Sequence, residues 1–150
     1  MSNLFLQHRL WQRPSVSETN RLAMHSLPPA FPTCEAALED AIKGPEHRDL
    51  ANNPYHLCLD GVWSFRYFEN PLAVGEDILD STMQAGWAPI VVPGSWSVQG
   101  YDKPHYTNVI MPFANTPPIP PEENPTGVYR TRSVLDDAWK TRKTILTVAS

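Results

Sequence analysis

The clearest pattern of apolar and polar positions runs through Leu57-Cys58-Leu59-Asp60-Gly61-Val62-Trp63-Ser64-Phe65-Arg66-Tyr67. Aromatic rings stand at 63, 65 and 67, with Ser64 and Arg66 between them. A period of two predicts a half-buried strand. It places Trp63, Phe65 and Tyr67 on the core face and sends Arg66 to the other side. Ala88–Val92 is a short apolar run stopped by Pro93-Gly94, and it predicts a second strand. Gly127–Val134 and Lys143–Ala149 predict two more, with Asp136 to Trp139 as the turn or helical corner between them. The helical period is weaker. Residues 33–42, TCEAALEDAI, predict one short helix, with Thr33 as N-cap, Glu35 near its positive end and Gly44-Pro45 as its stop. A helical turn is expected near Glu76–Leu79 within the loop over residues 70–87.

Between these elements the chain is irregular. Residues 1–32 are punctuated by Pro14, Pro28, Pro29 and Pro32, with Trp11 and Leu22 as expected anchors. The stretch 93–126 is rich in proline and has little periodicity. A loop that long in a compact domain usually serves function or lies against a partner. Short strands with long connections predict a mainly β fold, a partial jelly-roll or β-sandwich. Four or five strands do not close a sandwich of seven or eight. The expectation is a truncated chain, or one whose faces a partner covers.

Composition sharpens this picture. Proline makes up 16 of 150 residues, about twice the usual share of ~5%. It excludes a long helical bundle, because proline removes a backbone donor and clashes with the preceding turn. Apolar residues at 41% suffice for a core. A net charge of −4 offers no basic surplus for phosphates and disfavours a nucleic-acid partner. The early sequence is broken by His8, Arg9 and Arg13 and lacks the apolar stretch of a secretory signal. No run approaches the ~18–20 apolar residues that span a bilayer. No membrane partner is expected, and the location read from these features is cytoplasmic. Cys34 and Cys58 are too few for a disulfide framework or a zinc site, and are read as reduced, semi-buried thiols.

No local catalytic motif is present: there is no glycine-rich phosphate loop, G-x-S-x-G, H-E-x-x-H or C-x-x-C. Glu122 and Glu123 are adjacent, so in extended chain they point apart and make a poor acid/base pair. The stretch from Val92 to Phe113 mixes aromatic rings, prolines and single amide or carboxylate groups. Sugar sites use that mixture, since ring faces cover C–H surface and a few fixed polar groups read hydroxyls. Asn108 offers a donor and an acceptor together. The residues alone leave it open whether Asn108 contacts a ligand or is buried and satisfied by loop backbone.

Five ordered segments carry a resemblance. Asn20-Arg21-Leu22-Ala23-Met24-His25 resembles an N-R-L-x-x-H segment. Residues 59–65 resemble an L-N-G-x-W-x-F strand. Val91-Val92-Pro93-Gly94-Ser95-Trp96 and Gly100 to Val109 resemble V-V-P-x-x-W and G-Y-D-x-P-x-Y-T-N-V. Pro117-Pro118 through Gly127 resembles P-P-x-x-P-x-E-N-P-T-G. Together they are similar to the N-terminal part of the β-galactosidases of glycoside hydrolase family 2, through most of the chain.

The resemblance implies an irregular N-terminal arm over 1–50 and an incomplete sugar-binding jelly-roll over 51–150. Immunoglobulin-like domains and a (β/α)8 barrel of roughly 250 residues would follow. The two catalytic glutamates would lie in that barrel, so no catalytic residue is expected here. The implied substrate is a β-galactoside such as lactose. The implied contacts are Asn108, reaching into the active site, and Val109 through its main chain. An aspartate that binds galactose and sodium is expected beyond residue 150. Magnesium and sodium are implied for the full-length enzyme, with no cofactor bound by this part. Some family members hold a structural magnesium in the arm; the aligned positions here are Leu10 and Arg13, which are not hard-oxygen ligands. The implied partners are the remaining domains and further copies in a homo-oligomer. A non-catalytic carbohydrate-binding or interaction module is the alternative. β-Glucuronidase and β-mannosidase share the architecture, but Y-T-N-V with E-N-P-T-G favours galactosidase.

Overall fold

A computed structural model describes residues 8–23, 28–104, 106, 108 and 119–148. Its centre is a three-stranded antiparallel sheet of order β2-β1-β3, in which β1 is Gly61–Phe68, β2 is Ala88–Val92 and β3 is Thr126–Arg130. The alternation expected of β1 decides the register. Trp63 stands opposite Ile90, and Phe65 stands opposite both Ala88 and Tyr129. Phe65 is 0% exposed and Ile90 1% exposed, so this aromatic face is the core.

The lead-in residues 57–60, expected as strand, are not strand. β2 ends at Val92 opposite Gly61, so nothing pairs them. Leu59 is held instead through its carbonyl, which accepts from Trp63 Nε1 at 2.7 Å. Strand β3 is shorter than expected for the same reason. Its ladder ends with Arg130 opposite Ser64, and Val134 stands exposed. The strand expected over Lys143–Ala149 is a correction. Residues 143–148 form none, and 149 lies outside the described residues. A strand needs a neighbour for its backbone groups. Here Ile145, Leu146 and Val148 are exposed instead.

The polar side of β1 is also covered. The loop over residues 70–87 crosses it, built from two 3₁₀ turns, Pro71–Ala73 and the expected Glu76–Leu79. Asn70 Oδ1 caps the first turn by accepting from the N–H groups of Leu72 and Ala73. Arg66 pairs with Asp77 and lays its guanidinium 5.0 Å from the Phe68 ring centre. Phe68 and Val74 are buried. Arg130 closes the loop's far end: its guanidinium donates to the carbonyls of Asp80 and Met83 at 3.1 and 2.9 Å and sits 4.0 Å from the Trp87 ring centre. These charged side chains therefore tie a loop to the sheet rather than facing water.

The helix α1, Cys34–Lys43, matches its expected span to within a residue. Thr33 Oγ1 accepts from the Ala36 N–H at 3.2 Å. Asp40 anchors it to the following segment, with Arg48 Nε donating to both carboxylate oxygens at 3.1 and 2.8 Å. Cys34 and Cys58 are free, as read, but exposed rather than semi-buried. Among the described residues no helix is long and apolar enough to cross a membrane.

Candidate functional site

The site grows from the end of β2. After Pro93-Gly94 the chain makes a 3₁₀ turn, Trp96–Gln99, and leaves it through Gly100 at φ 94, a left-handed conformation that glycine adopts without a Cβ clash. The turn is fastened in two ways. The Gln99 amide pairs with the strand edge: its Oε1 accepts from the Val91 N–H at 2.8 Å and its Nε2 donates to the Val91 carbonyl at 3.0 Å. Trp96 and Tyr101 then fold back onto the core face. Their ring centres lie 5.9 and 4.6 Å from that of Phe65, and 6.1 and 6.3 Å from that of Tyr67.

The returning segment 121–125 runs beside this turn. Between the two lies a cavity of about 410 Å³ lined by Trp96, Asp102, Lys103, Glu123 and Asn124, among others. Lys103 Nζ lies 3.7 Å from Glu123 Oε1, and both side chains are well exposed. Glu122 lines a different cavity, of about 440 Å³, shared with Arg9 and Trp11 of the arm. The adjacent glutamates therefore line different cavities. The expected anchors differ as well: Trp11 lies against this loop region, while Leu22 is exposed.

Asn108 sits at a bend just past the turn and is exposed, as is Tyr106. The alternative of a buried, backbone-satisfied Asn108 does not hold. Val109 lies outside the described residues. The fastening of the turn Trp96–Gln99 by the Gln99 amide and by the rings of Trp96 and Tyr101 was not read from the sequence. Its only local sign was the density of rings and amides after Pro93-Gly94.

The electrostatics follow from the same packing. Burial pushes the Tyr67 hydroxyl above its ordinary pKa, and the negative charges of Asp102, Glu123 and Glu69 push it further. Burial alone raises Tyr129. The folded state thus favours neutral phenols. Their contribution to stability is complete below the unfolded value near 10 and is lost as pH rises through the higher folded values. Tyrosinate absorbance should therefore develop at higher pH in the native protein than in urea, and the melting temperature should fall above about pH 10. Coincident native and unfolded titrations would contradict this packing.

The open cavity presents the Trp96 ring, the Asn124 amide and the carboxylates of Asp102 and Glu123. Among the described residues no cluster of three His, Cys, Asp or Glu side chains could hold a metal ion. A ring with hydrogen-bonding groups around it is the kind of lining that suits a polyhydroxylated ligand with an apolar face.

Residues 57–149 match the family model of the glycosyl hydrolases family 2, sugar binding domain. The chain belongs to glycosyl hydrolase family 2. It is 38% identical over 139 residues to a protein named Beta-galactosidase from Psychromonas ingrahamii, covering 92% of this chain and 12% of the relative. It is 42% identical over 125 residues to the Beta-galactosidase of Alteromonas mediterranea, covering 81% of this chain and 11% of the relative. Beta-galactosidase 2 of Enterobacter cloacae is 37% identical over 134 residues, covering 89% and 12%. The chain spans about an eighth of the length of these relatives.

Proposed function

We propose that this chain is the N-terminal part of a β-galactosidase, with an arm over 1–50 and a sugar-binding jelly-roll portion over 51–150. The single observation that supports it most is the 37–42% identity, through most of the chain, to relatives named Beta-galactosidase. On this reading the whole enzyme hydrolyses terminal, non-reducing β-D-galactose from lactose-type galactosides. It does so with retention, through two carboxyl groups about 5–5.5 Å apart in its barrel. This part supplies domain and subunit contacts and a substrate-contacting segment. Asn108, which is exposed, accepts from and donates to galactose hydroxyls, and the backbone of Val109 adds a contact. Magnesium and sodium are held by the barrel and by a further aspartate of the sugar-binding domain. The enzyme is a cytoplasmic homo-oligomer.

The test uses the full-length protein with an aryl β-D-galactoside. Hydrolysis is expected, with β-galactose as the first anomer seen by NMR. Asn108→Ala should lower kcat/KM by about tenfold, the worth of one or two sugar hydrogen bonds, with no change in melting temperature. The 150-residue chain alone should be inactive. A full-length protein that binds galactose but hydrolyses no galactoside would identify a carbohydrate-binding module instead.

A further inference from the structure

A second cavity, of about 430 Å³, shares no lining residue with the one lined by Trp96 and Asn124. Its walls come from distant parts of the chain. Pro54 and Tyr55 form one side, and the 3₁₀ corner Asp137–Thr141 with its flanks forms the other. The first wall is fixed by Asn53, whose Oδ1 accepts from the Tyr55 N–H and whose Nδ2 donates to the Ala30 carbonyl, both at 2.9 Å. The second is fixed by Asp136, whose Oδ1 accepts from the Ala138 N–H at 2.9 Å.

Three kinds of group converge here. Trp139 is half-buried and offers a ring wall. Arg142 lies with its guanidinium carbon 3.7 Å from the Tyr55 ring centre. Stacking occupies the face of a guanidinium and leaves its N–H edge available, in a fork that matches a carboxylate. Lys143 lines the same cavity. Among the described residues neither Arg142 nor Lys143 joins an ion pair. Asp136 uses Oδ1 as a cap and keeps Oδ2 as an acceptor.

A simple anion would leave the indole and the carboxylate without a role, and a neutral sugar would leave two cations unmatched. We propose that this cavity binds an acidic sugar, a hexuronate. Its carboxylate meets the edge of Arg142 with Lys143 beside it, its C–H face lies on Trp139, and one hydroxyl donates to Asp136. A cavity of this size lies within the ~300–1,000 Å³ range of ligand sites.

The full protein is titrated with D-galacturonate, D-galactose and benzoate, by calorimetry and by the indole N–H signals in NMR. Galacturonate should bind with a Kd of about a millimolar, an affinity for one small ring, and move a single indole signal. Arg142→Ala should weaken it at least tenfold, and Arg142→Lys should restore only part. Lys143→Glu, at an exposed position, reads the same charge if Arg142→Ala unfolds. Asn108→Ala should leave galacturonate binding unchanged, which separates this site from the proposed galactose contact. Equal binding of galactose, binding of benzoate without galacturonate, loss of galacturonate in Asn108→Ala, or no binding at tens of millimolar would each overturn the proposal.

Discussion

Replacing Phe65 by alanine is expected to unfold the protein. Phe65 is fully buried and makes ring contacts with Trp96, Tyr101 and Tyr129. Among the described residues only Phe68, Val74 and Ile90 share its status as buried apolar side chains. Truncating a buried phenylalanine costs about 3–5 kcal/mol in transfer and cavity terms. A domain has about 5–15 kcal/mol in total, and a core this small has little to spare. Phe65→Leu refills much of the volume and should cost less. Urea unfolding followed by tryptophan fluorescence measures both. A Phe65→Ala midpoint within the error of the parent would mean that the ring cluster is not the core.

Replacing Gly127 by valine should come next in size. Gly127 lies on β3 opposite Tyr67, where the chain needs no special backbone angle. What it needs is space. A Cβ here would overlap the Trp96 ring and stand 2.6 Å from Phe65 Cε2. Both obstacles are rigid rings held by other rings, so neither can swing aside cheaply. Overpacking of this kind costs about 1–3 kcal/mol, and more where the surroundings cannot shift. The consequence extends beyond stability. Moving Trp96 strips one wall from the cavity it lines with Asp102 and Asn124 and loosens the turn Trp96–Gln99. If the full-length protein has the proposed galactosidase activity, Gly127→Val should therefore raise its KM for the galactoside as well as lower the melting temperature. Gly127→Ala should show a milder form of both. A destabilised variant with an unchanged KM would separate the ring packing from the site.

Much of this architecture was legible from local pattern. Trp63, Phe65 and Tyr67 announced β1 and its core face because strand side chains alternate. Thr33 and Gly44 announced the ends of α1, and Glu76–Leu79 turned where expected, because capping and turn chemistry act over a few residues. Lys143–Ala149 had the same apolar look, but among the described residues no strand pairs with 143–148, and strand pairing is a non-local fact. Phe68 was not read as core either, since the alternation only sent Arg66 to the side away from the rings. The loop over residues 70–87 instead covers it and matches its charge with Asp77.

For the site, the residue types between Pro93 and Phe113 left the role of Asn108 open, and only the family resemblance pointed to it as a sugar contact. The ordered motifs across the chain sufficed to indicate the family. Neither could reveal that the Gln99 amide closes the edge of β2, that Trp96 lies on Gly127, or that Arg142 rests on Tyr55 eighty-seven residues away. Secondary structure and family resemblance follow from short-range spacing, and one sequence contains that spacing in full. Ring stacking, edge pairing and the convergence of charges depend on chain segments meeting across the fold, and only the tertiary structure decides those meetings.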